Sequence, residues 1–302
     1  MAQAGGFELQ ALDTSMMYAD GNRASISYTS IDASIEGYNP AAKALGLPSK
    51  KEVVKDQTVT NVNAKFDIGE SISVGLGTYR AGSIQLSGGN EAPTPGVSPG
   101  GNLAPTADVD LDTTAVMASY NLNDNFSFIG GITQNAIKGG NVTTLAGSYD
   151  VASKLSTGYI GGVAYSIPEI ALRAELIYQP KTKFATTTAF TPSAVGIRGA
   201  AAADGADCTV PAVYGAYLNN MTTTASATTL SLPDTLAFNF QTGIAENTLM
   251  TASYRKASWG KSQINIDAPI SIGTTFLDST AYSVGIGRKF FGFVNIFKGR
   301  RQ

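Results

Sequence analysis

The sequence predicts an all-β protein whose fold is an antiparallel transmembrane β-barrel. Three observations indicate this fold class: apolar and polar residues alternate along many segments, tight and long connections alternate between those segments, and charged residues are scarce. Of the 302 residues, 43% are hydrophobic and 15% are charged, whereas about 25% of an ordinary soluble domain is charged. No apolar run approaches the roughly 18–20 residues that a membrane-spanning helix needs.

Alternation is clearest in two neighbouring segments, 62–68 and 72–77. Their polar positions carry Asn, Lys, Asp, Ser and Gly. Their apolar positions are Val62, Ala64, Phe66, Ile68, Ile72, Val74 and Leu76. Because only Gly69 and Glu70 separate the two segments, the pattern predicts a β-hairpin.

The same alternation recurs further along the chain, and we predict about ten strands, several longer than the five or six residues usual in soluble sheets. The first strand, near 23–37, changes phase between Tyr28 and Ile31, which predicts a β-bulge. The remaining strands are predicted at 113–122, 126–132, 157–167, 170–179, 234–244, 248–266 and 279–290.

The connections fall into two classes by length. Tight turns are predicted near 69–70, 123–125, 167–169 and 245–247. Long loops rich in Gly, Pro, Ala, Ser and Thr are predicted at 39–56, 87–106, 138–154 and 189–230. Short turns at one rim and long loops at the other are typical of an outer-membrane barrel, with periplasmic turns and extracellular loops.

Aromatic residues near the predicted strand ends favour girdles at the two membrane interfaces, although strands are also rich in aromatic residues for other reasons. These residues are Tyr28, Tyr38, Tyr79, Tyr120, Phe126, Tyr165, Tyr178, Phe184, Tyr254, Trp259 and Phe290.

The composition also limits the possible chemistry. The formal net charge is −2 and there is no His, so nucleic-acid binding is not indicated and the common His-based catalytic and metal-binding arrangements are excluded. Asp108, Asp110 and Asp112 alternate on one strand face and could bind a cation, but we interpret them as solvated charges near a loop. Cys208 is interpreted as an incidental loop thiol. We therefore predict neither an enzyme nor a cofactor or metal site.

The N-terminus allows two readings. Ala2, Gln3 and Ala4 are similar to the small-residue end of a secretory signal peptide, or they are three ordinary small residues.

Several segments, in this order and at this spacing, resemble a known family. They are the region from GGFE at 5–8 to GNRAS at 21–25, GVAY at 162–165 with Pro168, RAELIY at 173–178, LPDTLAFNFQTG at 232–243, LMTASYRKASW at 249–259 and YSVGIGRKF at 282–290. Together they resemble the outer-membrane transporters of long-chain fatty acids and hydrocarbons (FadL-type). The resemblance spans most of the chain up to Phe290.

The resemblance implies passive uptake of fatty acids or other hydrophobic small molecules by a monomer in the bacterial outer membrane. The ligand would leave laterally through a kinked strand, and outer-membrane lipid, lipopolysaccharide and the barrel-assembly machinery would be partners. In this family an N-terminal segment forms a hatch inside the barrel. The hatch residues would be Gly5, Gly6, Phe7, Glu8 and Leu9.

Two further groups of residues are candidates for function. Gly75, Gly77 and Arg80 at the end of the third strand are placed at the strand kink, because Gly weakens strand pairing; relief of crowding in the wall would explain the glycines equally well. Arg173 and Glu175 should face the lumen, because an Arg in contact with mid-membrane lipid costs roughly 2–4 kcal/mol. We expect them to pair with other lumenal charges, although they could steer a carboxylate head group.

The sequence departs from the family at both ends. Barrels of this family have fourteen strands, an even number as is usual in bacteria, and usually end in an aromatic strand. We therefore divide the chain into a hatch remnant at 1–22, barrel strands at 23–290 and an atypical tail at 291–302, and we expect a truncated or frameshifted gene.

Two other functions remain open. A general diffusion porin or a structural barrel would have similar strands and would lack the apolar passage. A soluble β-rich adhesin or virion protein would also be consistent with the Thr-, Ser- and Ala-rich loops.

Overall fold

The computed structural model describes residues 10–32, 36–38, 50–52, 55–87, 106–290 and 294–301. The strands in the first half of these ranges are β1 Arg23–Ile31, β2 Glu36–Tyr38, β3 Lys50–Glu52, β4 Gln57–Ile68, β5 Ile72–Ser87, β6 Thr106–Asn121, β7 Phe126–Thr143, β8 Gly147–Val151 and β9 Lys154–Ile167. The later strands are β10 Leu172–Gln179, β11 Thr182–Pro192, β12 Thr223–Leu232, β13 Thr235–Ala245, β14 Thr248–Ala257, β15 Asn265–Ile266, β16 Ile272–Gly273, β17 Ser279–Phe290 and β18 Val294–Arg301.

Helices are few and short. The α-helices are α1 Ala194–Ala203 and α2 Pro211–Met221, and 3-10 turns lie at Ser15–Tyr18, Pro168–Ile170 and Trp259–Lys261. No helix in the described part of the chain combines the length and the apolar character needed to cross a membrane.

One antiparallel sheet dominates the molecule. Eleven of its strands follow one another in the order β1-β4-β5-β6-β7-β9-β10-β13-β14-β17-β18, and we call them the wall. In the described residues β1 pairs only with β4, and β18 only with β17, so the sheet is not closed. The predicted all-β antiparallel fold is confirmed.

The central strands of the wall, β6, β7 and β9, expose their apolar face and bury their polar face, whereas the edge strand β1 is exposed on both faces. In β6, Val116 and Tyr120 are 44% and 49% exposed, whereas Thr113 and Ser119 are 1% and 4% exposed. The same inversion holds in β7, where Phe128 is exposed and Ser127 is buried. Alternate residues of a strand point to opposite faces, so the predicted apolar stripe forms the outer face of the wall.

The end of the molecule opposite the tight turns, which we call the upper end, has the opposite pattern of burial, with apolar side chains inside and polar side chains outside. Strands β8, β11, β12, β15 and β16, with α1 and α2, form a region that we call the lobe, which branches from the wall where the long strand β7 pairs with both β8 and β9. Its core is apolar and consists of Tyr149, Val151, Phe190, Ile197, Met221, Ile266 and Ala268. Exposed positions of β11 include Lys183, Thr187 and Thr191.

Several local predictions were wrong. The β4–β5 connection spans residues 69–71 rather than two residues, because Ile68 pairs with Ile72. Strand β1 keeps one regular register along its length, so it has no bulge. Residues 189–230, predicted as a loop, contain the end of β11, both α-helices and most of β12.

Three aromatic residues also differ from their predicted place in a girdle, and one of them, Tyr79, packs against a buried cluster on the inner side of the wall. Phe184 and Trp259 are buried, at 2% and 0% exposure, because both lie above the point where the pattern of the sheet inverts. Tyr120, Phe126 and Tyr165 are exposed on the outer face of the wall.

Candidate functional site

Residues 10–22 lie against the inner face of the wall, and we call this segment the plug. Met17, which is 4% exposed, belongs to a buried apolar cluster that also contains inner-face side chains of four different wall strands. These side chains are Ala115, Met117, Ile129, Ile160 and Ile177. The plug therefore occupies the space that the curved wall encloses.

A buried carboxylate anchors the plug from across the wall. Glu175 on β10 is 1% exposed, and its two carboxylate oxygens lie 2.8 and 2.9 Å from the hydroxyl of Thr14. Asn239 on β13 also donates to Glu175, at 2.8 Å from Nδ2 to Oε2. Because a buried charge is costly unless it is hydrogen-bonded, these contacts hold Thr14 in place.

Arg173, two residues away on the same face of β10, contacts the plug in a different way. Its guanidinium carbon lies 4.4 Å from the centre of the Tyr18 ring, a cation–π arrangement. Burial, and then the neighbouring negative charge of Glu175, raise the pKa of the Tyr18 phenol, so this side chain stays neutral. Among the described residues neither Arg173 nor Glu175 forms a salt bridge, and both contact the plug instead.

A second anchor holds the point where the plug leads into β1. Lys65, which is 4% exposed, donates to the backbone oxygen of Ala19 and pairs with Asp67 at 2.7 Å. The backbone N–H of Asp67 donates to the side chain of Asn22 at 2.9 Å. The plug is therefore fixed at both ends of its Thr14–Asn22 portion.

Two spaces lie on either side of this fixed portion. Above it, a narrow cavity of about 40 Å³ lies between the start of the plug and the wall. Its lining includes Leu12, Tyr79, Leu232, Pro233 and Trp259. Below it, a polar vestibule of about 530 Å³ is lined by Met17, Tyr18 and the lower turns of the wall. The plug separates the two spaces.

The upper cavity reaches the wall at a place where two strands separate. Below that place Tyr178 pairs with Gly161, and above it the N–H of Ala152 donates to the carbonyl of Thr187. Between these points, β9 residues 154–160 share no ladder pair with the neighbouring described segment 179–186. We call this separation the slit.

Residues from both faces of the wall meet at the slit. Pro180 has no N–H to donate and lies at the lower end of the slit, and Ser156 donates to the Lys183 carbonyl at 2.7 Å across it. Tyr159, which is 61% exposed on the outer face, lines the same cavity as the inner-face residue Asn135. No feature of the sequence indicated the slit except Pro180 itself.

The residues predicted at a strand kink lie elsewhere. The register of β5 is continuous through Gly75 and Gly77 on both sides, and it shifts between Arg80 and Gly82. Both glycines face the plug: a Cβ atom on Gly75 would lie 2.3 Å from Met17 Sδ, and one on Gly77 would lie 3.9 Å from Leu12 Cδ1. Their kink role stays a prediction.

The remaining candidate residues are placed as follows. Gly5, Gly6, Phe7, Glu8 and Leu9 lie outside the described residues. The aspartates of β6 form ion pairs on the outer face: Arg80 pairs with Asp110 and Asp112, and Lys55 with Asp108. In the part of the chain that the structure describes, no group of three acidic, Cys or His side chains is placed to hold a metal ion.

Comparison with known proteins shows which solved structures share this fold. No protein-family profile matches the chain, and no characterised protein matches it in sequence. Solved structures do match: the toluene transporter TodX of Pseudomonas putida shares 10% identity, with a TM-score of 0.53, over 98% of this chain and 80% of that one. The TodX deltaS2S3 mutant, described as a monoaromatic hydrocarbon channel, shares 12% identity, with a TM-score of 0.58, over 95% and 77%.

A third match is the CymD monoaromatic hydrocarbon channel, at 10% identity and a TM-score of 0.49 over 93% of this chain and 74% of that one. The two TodX structures carry the assignment: the antiparallel strands of the chain match the fold of a FadL-type barrel, although the sheet of the described residues is not closed. The predicted resemblance is thus confirmed at the level of the fold, and the particular structures that share it are hydrocarbon channels.

Proposed function

We propose that this chain is an outer-membrane channel for the uptake of hydrophobic small molecules, which pass the plug and leave through the wall. The observation that carries the proposal is the inverted wall, which exposes apolar side chains and encloses a polar interior filled by the plug. The matched structures are a toluene transporter and a monoaromatic hydrocarbon channel, and they support transport rather than catalysis.

The outer face of the wall supports a location in a bilayer. Large apolar side chains are exposed on the outer faces of neighbouring strands, among them Phe66, Val116, Phe128, Tyr159 and Val284. In water so much exposed apolar surface would cause aggregation, whereas hydrocarbon chains of lipid solvate it. Paired strands also satisfy the backbone polar groups that lipid cannot. The soluble adhesin or virion alternative is therefore disfavoured.

The plug disfavours a general diffusion porin. Thr14, Met17 and Tyr18 lie between the upper cavity and the lower vestibule, so water and ions meet a packed segment. The cavity of about 40 Å³ is also smaller than the roughly 150 Å³ that a benzene-binding protein cavity offers. In the described conformation the route from the upper cavity through the slit is too narrow for such a molecule, so passage by this route requires the start of the plug or the slit to move.

The slit supports lateral exit. It begins at a cavity with apolar lining residues such as Leu12 and Trp259, and it ends beside Tyr159 and Leu155, which are 61% and 62% exposed. A hydrophobic molecule that takes this route avoids the polar vestibule and enters lipid directly. Fatty acids and aromatic hydrocarbons both meet this requirement, so both belong in the test. The predicted kink near Gly75, Gly77 and Arg80 is the alternative exit.

A reversible cross-link across the slit tests the proposal. A Cβ atom on Gly158 would lie 2.5 Å from Thr182 Oγ1, so G158C with T182C, in a C208S background, brings two thiols within disulfide reach. We expect uptake of a labelled aromatic hydrocarbon or fatty acid by cells to fall to background on oxidation and to recover on reduction.

The matched control is S253C with S283C. These residues are directly opposite on β14 and β17, with hydroxyl oxygens 2.6 Å apart, so their disulfide joins strands that are already paired and should leave uptake unchanged. Uptake that persists through the slit cross-link would rule out exit at this place. An absence of uptake of either compound by the reduced and unmodified proteins would contradict the transport function itself.

A further inference from the structure

Four exposed lysines are grouped around the slit at the upper end of the wall, and we call them the slit lysines. Lys154 begins β9 on one edge of the slit, and Lys181 and Lys183 lie on the opposite edge, where β11 begins. Lys261 belongs to the 3-10 turn beside them, and its backbone oxygen accepts a hydrogen bond from the Lys181 ammonium. The four residues therefore come from three separate stretches of the chain and meet at one place.

Hydrogen bonds between the two edges show that these lysines are neighbours. The hydroxyl of Ser156 donates to the Lys183 carbonyl at 2.7 Å, and the N–H of Ala152 donates to the Thr187 carbonyl at 2.9 Å. Lys154 lies midway between these two contacts along its strand. Since each lysine ammonium is carried on a flexible four-carbon stem, the ammonium groups of both edges can contact the same anion.

The slit lysines carry positive charge that no ion pair of the described residues neutralises. Two aspartates lie beside the same 3-10 turn, but they have other partners. Asp234 accepts a hydrogen bond from the Ser258 hydroxyl, and Asp278 accepts one from the N–H of Gly260. An anion from outside the chain can therefore find several ammonium groups here that are not engaged by carboxylates.

Other lysines at the upper end of the wall show a contrast. Lys55 pairs with Asp108 at 3.5 Å, and Lys138 pairs with Asp112 at 3.4 Å. These two lysines are also exposed, so exposure alone does not account for the missing carboxylates at the slit. The wall thus presents two kinds of cationic surface at its upper end, and only the one at the slit lacks ion pairs.

The outer face directly below the slit lysines is apolar. Leu155 and Tyr159 on β9 are 62% and 61% exposed, and Tyr178 on β10 is 48% exposed. Lys181 follows Tyr178 by three residues towards the upper end, so cationic groups border an apolar surface along one strand direction. Apolar surface with basic side chains at its border is the arrangement that binds an anionic membrane lipid, with its acyl chains on the one and its phosphate on the other.

We propose that the slit lysines bind the phosphate groups of an anionic lipid whose acyl chains lie against Leu155, Tyr159 and Tyr178. This inference rests on the proposed function, since it places the wall in an outer membrane. There the lipid A part of lipopolysaccharide carries both phosphates and acyl chains, and it is the lipid to which we assign the site. The bound lipid lies where a hydrophobic molecule that leaves through the slit enters the bilayer.

Removal of two charges at the slit tests the site against removal of two charges elsewhere. The experiment compares Lys154→Gln with Lys183→Gln, as one double variant, with the double variant Lys55→Gln and Lys138→Gln, which removes the same charge from the ion-paired surface. Both leave Lys181 and its bond to the 3-10 turn unchanged. Lipid A is titrated into each purified full chain in detergent, and bound lipid is counted by native mass spectrometry.

We expect the slit variant to bind lipid A about thirtyfold more weakly than the wild type, because each basic side chain near an anionic lipid contributes roughly fivefold to binding. The ion-paired variant should bind as the wild type does. Dephosphorylated lipid A should bind weakly and equally to all three proteins, and inorganic phosphate should not compete. If the slit double variant does not fold, Lys183→Gln alone should weaken binding about fivefold.

Equal affinities of the two double variants, or equal binding of lipid A and its dephosphorylated form by the wild type, would overturn the proposal. Competition by inorganic phosphate at the concentration of the lipid would also overturn it, because the site would then take a free anion. Failure of the proposed function is a separate result, since binding is measured without transport. A chain that binds lipid A at the slit but gives no uptake in cells would keep the lipid site and lose the channel function.

Discussion

The wall and the lobe are built from the same kind of strand with opposite faces inward. In the wall, Ile132 is 52% exposed and Asn135 is 3% exposed, whereas in the lobe Phe190 and Tyr149 are fully buried and Lys183 is exposed. The inversion occurs near Pro180 and Pro233, where β10 gives way to β11 and β12 to β13. Under the proposed function, the difference reflects two solvents, lipid around the wall and water around the lobe.

The largest expected effect separates the two regions by truncation of one aromatic side chain in each. Phe190→Ala leaves a cavity in the lobe core, and a change of this kind destabilises by about 3–5 kcal/mol. Phe128→Ala on the outer face of β7 leaves no cavity, because lipid fills the space, and should cost much less. Denaturant unfolding of both variants in lipid vesicles measures the difference, and equal losses would show that Phe128 is packed against protein.

A charge on the outer face should have the next largest effect. Ile132→Arg places a cation against lipid and should reduce the free energy of unfolding in a bilayer by about 2–4 kcal/mol. Thr229→Arg is the control at an exposed position of β12 in the lobe, where a surface change usually stays within about 0.5 kcal/mol. Folding yield in vesicles reports both, and tolerance of Arg at position 132 would place that surface in water.

A substitution in the polar interior should have the smallest effect on stability, and that effect should be confined to the plug. Thr14→Val removes one hydrogen-bond donor from the buried Glu175, and a loss of this kind costs about 1–3 kcal/mol. Local opening should then increase hydrogen exchange of the amides of residues 14–18, while the exchange of the wall strands stays the same. Ser15→Ala, at an exposed position of the plug, should change nothing. Unchanged exchange in Thr14→Val would show that Asn239 alone satisfies the carboxylate.

The fold of the wall was readable from the sequence because alternation is a local property. Val116, Tyr120 and Phe128 were predicted to share one face with their neighbours, and all are exposed together. The lobe was not readable, because its segments are rich in Ala, Gly and Thr and have little periodicity. The helix α1, AVGIRGAAAA, contains two glycines, which weaken a helix by about 1 kcal/mol each.

The candidate site depends on long-range contacts that no local pattern records. Glu175 was predicted to face the lumen, but its partner Thr14 is 161 residues away along the chain. The buried apolar cluster around Met17 draws five residues from four wall strands, two of them from β6, and each follows the alternation of its own strand out of phase with the exposed face. Gly75 was predicted as part of a strand kink, and that role stays a prediction; no local pattern indicated that a Cβ atom at this position would meet Met17 Sδ.

The lobe has a further consequence through its route along the chain. Its pieces come from three separate excursions: β8 at Gly147–Val151, the stretch from β11 to β12 at Thr182–Leu232, and β15 with β16 at Asn265–Gly273. Each excursion starts and ends on a wall strand, so the pieces are brought together only when the hairpins β9–β10 and β13–β14 have aligned their bases. Loop-closure entropy opposes their meeting earlier. We therefore expect the lobe to be the last part of the molecule to assemble, after the wall strands from which its three pieces extend.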